Sequence, residues 1–331
     1  MLSPAKKIGF FWDEKQIVVI EVEKNNIIQI ISHPLSVSAS TESPFSSNLT
    51  KEIQIVNNIQ MIVKEHRIEF NEVFLSLPVG EIILRSFVIP FVTPLELVSV
   101  VEFEAKKYVP FDIKELTYVY HSIIFIENKI RKIRVFFYAV RKEVFEKYIR
   151  VFKQAGLEIV FCEPSSMSLV KGLIFKKEIK LDQRIAFLHL QKDVGRIYFI
   201  DKGIPYFIRE FSIGMVGFQE EKPVDPNTLS MKLFNEVSNS FDFYTRQFNT
   251  GKMEQMLVLA SVEQEAYLDG IASDLGVQVK TFNPTVIAGA SQVTDVAAVY
   301  ALGVCAESAS PLLSTFNFFQ KKKTVSNREY L

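Results

Sequence analysis

Cysteine, histidine and net charge are all scarce in this chain. Its 331 residues hold two cysteines, Cys162 and Cys305, both in apolar settings, and four histidines at positions 33, 66, 121 and 189. That excludes a disulfide framework and leaves no zinc-ligand spacing. Lys and Arg number 38 and so do Asp and Glu, so no overall positive field exists to hold a nucleic-acid backbone. No window reaches the roughly 18 uninterrupted apolar residues of a membrane-spanning helix. The apolar stretch after Lys7 is broken at Asp13, Glu14 and Lys15, so no cleavable signal is read and a cytoplasmic location is the default expectation. Also missing are G-x-x-x-x-G-K-[ST], G-x-S-x-G, H-E-x-x-H and any Ser, His and Asp set, which leaves an enzyme reading little to stand on. With 48% hydrophobic residues, 13 Gly and 13 Pro, the chain is neither disordered nor collagen-like. Its length suits two domains of about 150 residues each or one larger subdivided unit.

What is present reads as alternating strands and helices. Val18, Ile20 and Val22 alternate within a two- or three-stranded start over residues 6–31, and a Ser-, Thr- and Pro-rich loop precedes a helix at 51–67. Strands follow at 73–77 and 81–89. Thr93 then caps a helix with Pro94 at its first position, and Leu95, Val98, Val101, Ala105 and Tyr108 predict the core-facing stripe of that helix, which ends at 109–111. Strands at 116–126 and 133–140 lead into a helix carrying Val144, Tyr148, Phe152 and Ala155 on one face and stopping at Gly156. A second half begins at Gln183 with strands at 185–190, 195–200 and 204–208 and a tight turn at Asp201-Lys202-Gly203. Phe234, Val237, Phe241, Tyr244 and Phe248 mark a long buried helix. A strand at 256–261, a helix at 263–275 and a strand at 277–280 come next. The last helix, 295–306, carries small residues at Ala297, Ala298, Ala301 and Gly303 for close approach to a sheet, and the tail from Ser310 onward is expected to be only partly ordered. The 29 phenylalanines fall mostly at helical or strand period and are assigned to core.

Several segments together resemble the PilM family, the actin-like cytoplasmic component of type IV pilus assembly, related to the cytoplasmic part of the GspL proteins of type II secretion. The carriers are Leu84-Arg85-Ser86-Phe87-Val88-Ile89-Pro90 before a helix with Glu102, Glu104 and Ala105, then Tyr108-Val109-Pro110-Phe111. Ala139-Val140-Arg141-Lys142-Glu143, Ala155-Gly156-Leu157 and Glu163-Pro164-Ser165-Ser166 follow, then Gly203-Ile204-Pro205 with Phe207, Arg209-Glu210 and Ile213-Gly214. Leu275-Gly276-Val277, Asn283-Pro284 and Ala301-Leu302-Gly303 complete the set, which spans residues 6–305. The resemblance implies an α/β, actin-like (ribonuclease H-like) two-lobed fold with a small inserted α+β subdomain. Its expected boundaries are 1–86 with 161–182 and 295–331 for the first lobe, 87–160 for the insertion and 183–294 for the second lobe.

Two departures from the family pattern matter. The segment between Gly214 and the long helix is short, so the corresponding outer subdomain is reduced. Actin-like ATPases hold phosphate on glycine-containing hairpin turns whose backbone N–H groups approach it closely. Here the first turn reads Phe11-Trp12-Asp13-Glu14-Lys15, the second His189-Leu190-Gln191-Lys192-Asp193-Val194 before Gly195, and Leu259-Ala260-Ser261-Val262 replaces the adenosine-side glycine pair. The turns at Asp13, Lys15, Asp193 and Gly195 therefore read as degenerate phosphate sites, with no ATP, other cofactor or metal expected. Lys15 is open to a phosphate-contacting reading beside that of a solvated turn lysine, and His189 reads as a packed residue. The tail segment Phe316-Asn317-Phe318-Phe319 resembles the short "I-N-L-L-P" peptide by which the pilus protein PilN is held in the groove of its partner. It is read as a self-docked or fused partner peptide, against the alternative that its phenylalanines merely cover a sheet end. Lys321, Lys322 and Lys323 behind it suit a segment next to a membrane. The implied function is a non-enzymatic scaffold at the inner face of the inner membrane. It binds a PilN-like peptide in cis or trans and other platform proteins, but no nucleic acid. Membrane association is indirect, and a homodimer is left open. The alternative is an actin-fold ATPase or sugar kinase with an altered phosphate site.

Overall fold

The computed structural model describes residues 6–35, 47–69, 71–191, 194–213, 226–248, 251–261, 274–307, 313, 315–320 and 324–330, the side chains of 47–50, 226–227 and 324–330 excepted. The chain divides into two compact units, one of Met1–Phe175 with Thr285–Leu331 and one of Lys176–Pro284.

In the first unit β1 (Lys6–Trp12), β2 (Gln16–Glu23) and β3 (Asn26–Pro34) form an antiparallel meander. Lys24 and Asn25, both at positive φ (47° and 65°), make the tight β2–β3 turn. After α1 (Ser47–Glu65), β4 (Glu72–Leu77) joins β1 in parallel and β8 (Glu158–Pro164) joins β4, giving the order β3-β2-β1-β4-β8. Residues 17–22 of β2 are buried without interruption, so both faces of this sheet are covered. One cover is α4 (Ser165–Phe175) with α6 (Val296–Cys305). A Cβ on Gly9 of β1 would overlap the Ala301 carbonyl, and one on Gly303 would overlap the Ser168 carbonyl. The small residues of the last helix thus admit both the sheet and a second helix.

Between β4 and β8 the chain builds a smaller sheet from β5 (Ile83–Pro90), β6 (Leu116–Glu127) and β7 (Ile130–Arg141), with α2 (Pro94–Ala105) on one face. Glu96 closes the start of α2 by accepting from the N–H and hydroxyl of Thr93 at 3.1 and 2.7 Å. The buried stripe of α2 is Leu97, Val101 and Ala105, whereas the expected Leu95 is 94% exposed. The helix also stops at Ala105, four residues before the expected end. Then α3 (Lys142–Gln154) buries Phe145, Tyr148, Val151 and Phe152 and ends at Gly156, whose φ of 87° lets the chain turn back.

The second unit repeats the sheet order. Antiparallel β9 (Arg184–Leu190), β10 (Val194–Asp201) and β11 (Ile204–Ser212) are extended in parallel by β12 (Gln255–Leu259) and β13 (Gln278–Thr281), in the order β11-β10-β9-β12-β13. On it lies α5 (Pro226–Phe248), with Tyr244 stacked at 4.7 Å on Phe199 and Phe248 at 5.5 Å from Tyr206. Val237, Phe241, Tyr244 and Phe248 of the expected stripe are buried, but Leu233 rather than Phe234 is the buried residue before them. Two sheets of this one order, each an antiparallel meander extended by two parallel strands, make the fold actin-like. The helix expected at 263–275 lies, up to residue 273, outside the described residues.

Three boundaries differ from expectation. The hairpin of β14 (Val286–Ala288) and β15 (Ser291–Val293) contacts β3, so the second unit ends at Pro284 rather than 294. It begins at Lys176 rather than 183. The inserted sheet starts at Ile83 rather than 87, because β5 pairs with β7 from that residue on. The tail, expected to be only partly ordered, supplies β16 (Thr324–Tyr330), which pairs in parallel with β6 as the fourth strand of the inserted sheet.

Candidate functional site

Strand β8 is the edge of its sheet, bonded to β4 on one side only. An edge strand offers unpaired N–H and C=O groups, and at Cys162 the tail takes both. The Cys162 N–H donates to Asn317 Oδ1 at 3.1 Å, and the Cys162 carbonyl accepts from the Phe318 N–H at 2.8 Å. Asn317 Oδ1 also accepts from the Phe319 N–H at 3.2 Å, and its own carbonyl accepts from Gln320 at 3.0 Å. The side-chain amide therefore stands in for a neighbouring strand's carbonyl while the tail turns.

The flanking phenylalanines enter apolar pockets made by the inserted sheet and α3. Phe316 is 1% exposed and meets Tyr138 edge-on at 5.0 Å and His121 at 6.0 Å. Phe318 and Phe319 lie 6.0 and 5.2 Å from Phe145 of α3, Phe318 buried and Phe319 at the rim. Leu313 is buried as well. Burial holds the Tyr138 phenol and the Cys162 thiol far above their ordinary ranges. Directly beneath, buried Glu163 accepts from Lys171 at 2.7 Å and Ser168 at 2.8 Å, and burial raises its carboxyl despite those partners. The tail residues expected to act as a peptide, Phe316, Asn317, Phe318 and Phe319, are thus brought together in one docked segment. Cys162, Tyr138, His121 and Phe145, which receive them, carried no sequence signal beyond apolar periodicity.

The phosphate-turn residues stand elsewhere. Asp13 folds back onto its own hairpin, its Oδ1 accepting from the Lys15 and Gln16 N–H groups at 2.8 and 3.0 Å. Burial, aided by nearby Asp295, raises its carboxyl in spite of those bonds. The backbone donors that a phosphate would need are therefore taken by a carboxylate from within the turn, and Lys15 points into solvent. Trp12 packs against Tyr148 at 4.7 Å. In the second turn Gln191 N–H donates to the Val194 carbonyl at 2.8 Å, while Asp193 lies outside the described residues. Gly195 has a packing reason, because a Cβ there would overlap the Phe211 ring on the paired strand. His189 is buried in β9 between its two neighbours. Among the described residues no group of three or more His, Cys, Asp or Glu could hold a metal ion.

The profile of the family described as "Type IV pilus assembly protein PilM" matches residues 13–214. Among solved structures, a PilM-PilN type IV pilus biogenesis complex superimposes with a TM-score of 0.61 at 17% identity, over 84% of this chain and 88% of that one. The cytoplasmic domain of EpsL, an inner membrane component of the type II secretion system of Vibrio cholerae, follows at 0.47 and 11%, over 93% and 98%. A protein of actin-like ATPase fold and unknown function from Bacteroides thetaiotaomicron gives 0.47 and 10%, over 91% and 96%. No curated protein sequence matches the chain. At 17% identity the likeness to the PilM-PilN complex is one of fold, and it agrees with the repeated sheet order. The profile spans well over half of the residues, and on that footing the chain belongs to the PilM family of type IV pilus assembly proteins.

Proposed function

We propose that the protein is a non-enzymatic scaffold at the cytoplasmic face of an inner-membrane assembly platform. Its peptide-binding groove, between the β8 edge and the inserted sheet, receives an extended segment of a PilN-like partner. The observation that carries this reading is the docked tail: the Cys162 N–H donating to Asn317, the Cys162 carbonyl accepting from Phe318, and two phenylalanines in adjoining pockets form a complete extended-peptide interaction within one chain. The partner's segment would make the same backbone bonds, so the tail and the partner compete for one edge. Membrane attachment then comes through that partner. Absence of catalysis is supported by the self-capped turn at Asp13 and the outward Lys15, which leave no cradle for phosphate on the first hairpin.

Calorimetric titration tests both halves. A peptide of residues 314–323 is expected to bind a Phe316→Ala, Asn317→Ala variant, whose tail is undocked, and to bind the parent chain far more weakly. Magnesium-ATP is expected to bind neither. Failure of the peptide on the opened groove would refute the peptide reading. ATP turnover abolished by Asp13→Ala would instead favour the altered ATPase or kinase.

A further inference from the structure

Each of the three tail phenylalanines meets a ring of the groove. Tyr138 of β7 and His121 of β6 share the face of the inserted sheet that receives the tail. Tyr138 pairs with Val119 and His121 with Phe136, so the two rings are diagonal neighbours across the ladder. Phe316 meets both, its ring plane at 75° to that of Tyr138 and at 50° to that of His121. All three side chains are buried. The other two tail rings converge on one host. Phe145, in the first turn of α3, stands at 56° to Phe318 and 54° to Phe319. The four centroid separations run from 5.0 to 6.0 Å. They lie inside the range of roughly 4.5–7 Å in which tilted and edge-to-face aromatic pairs attract.

A merely apolar pocket takes Leu, Ile and Phe by the area each buries. Rings set at these angles discriminate further, because the positive edge of one ring lies against the negative face of the other. Such a pair adds about two- to tenfold in affinity to what burial supplies. An aliphatic side chain in the place of Phe316 keeps apolar contact, but it loses the pairing and leaves a gap between packed walls. Phe319 is at the rim, where water fills the gap and the loss is smaller. The backbone groups of Cys162 and the Asn317 amide are indifferent to the choice, so it falls to Tyr138, His121 and Phe145. A partner segment that takes the β8 edge replaces the tail in these pockets and faces the same rings.

We propose that the groove selects aromatic peptides: the partner segment carries an aromatic residue immediately before its asparagine and another immediately after, and Tyr138, His121 and Phe145 are the specificity-determining residues. This rests on the peptide reading of the groove and adds the chemical class of the peptide that it takes.

The test is calorimetric titration of the full chain carrying Phe316→Ala and Asn317→Ala with a series of 314–323 peptides, so that the protein is the same throughout. The Phe316→Leu peptide should bind about tenfold more weakly than the natural sequence, the Phe318→Leu peptide about fivefold and the Phe319→Leu peptide about twofold. A peptide with cyclohexylalanine at position 316, as apolar as phenylalanine and no smaller but without a π face, should also bind several-fold more weakly. On the protein side, adding Tyr138→Phe keeps the ring and should preserve the preference at position 316, whereas adding Phe145→Leu should abolish the preference at 318 and leave that at 316. Within the otherwise unaltered chain, Phe316→Leu should accelerate hydrogen exchange at the Phe318 amide, a readout that needs no added peptide. Equal affinities of the natural, leucine and cyclohexylalanine peptides would overturn the selectivity and leave the peptide reading intact. Weakened leucine binding beside undiminished cyclohexylalanine binding would assign the selection to size and overturn it too. If no peptide of the series binds, the peptide reading itself falls and takes this inference with it.

Discussion

Replacing Asn317 by Ala probes the docked tail at its narrowest point. The substitution removes one acceptor and with it two hydrogen bonds, from Cys162 at 3.1 Å and Phe319 at 3.2 Å. The Phe319 amide is near the rim and finds water. The Cys162 amide, on a fully buried residue, does not, and an orphaned buried donor costs about 1–3 kcal/mol. Taking about 2 kcal/mol, at about 1.4 kcal/mol per factor of ten, the undocked population rises about 30-fold. The Phe318-to-Cys162 bond is then made less often, although neither of its atoms has changed. Hydrogen exchange at the Cys162 and Phe318 amides reads this directly, and trypsin cleavage at Lys321 to Lys323 reads it independently. Both should accelerate, while exchange in β9 and β10 of the other unit stays fixed. Asn317→Asp should not rescue, because it sets a charge among apolar partners, one residue's width from buried Glu163. Unchanged exchange at Cys162 in the alanine variant would refute the reasoning, since the bond could then contribute nothing to docking.

Two further outcomes follow from buried charge. Lys171→Ala leaves Glu163 uncompensated in the interior and should lower stability by about 3–5 kcal/mol in urea denaturation, whereas joint replacement by Glu163→Gln and Lys171→Met should recover most of it; equal losses in both proteins would show that the pair's charge is not the cause. For Asp13, burial raises the folded carboxyl above the ordinary aspartate value of about 3.9, so its contribution is full below that value and is lost as pH rises through the folded one. Asp13→Asn keeps the Oδ1 acceptor without the charge and should gain on the parent between mildly acidic and neutral pH in urea midpoints; a difference independent of pH would contradict the assignment.

Legibility in the sequence followed physical locality. The meanders, the positive-φ turns and the α3 stop at Gly156 are written in short-range alternation and turn chemistry, and they stand where expected. The buried stripe of α2 is ambiguous in the sequence because Leu95 fits helical spacing with Val98 and Val101 as well as Leu97 does, and only the packed sheet chooses between the two stripes. The limit of the second unit is not legible locally because the β14–β15 hairpin is short and is held by β3, some 250 residues earlier in the chain. Gly195 suggested a relic of phosphate binding, yet it is explained by the Phe211 ring across the ladder. At the groove, Asn317 and its phenylalanines could be singled out through a resemblance. Their receptor could not, since a backbone amide at Cys162 has no side-chain signature.

The tail's attachment through so few residues has a concentration consequence. No more than five positions separate Glu307 from Leu313, and a short tether of this kind presents its segment to the groove at an effective concentration of about millimolar. A free peptide of equal intrinsic affinity, supplied at micromolar levels, would hold the groove in only about one molecule in a thousand. On the proposed function, a partner segment held beside the groove by its own membrane anchor would face no such handicap. Under that reading the docked tail would filter ligands by how they are tethered as well as by what they contain.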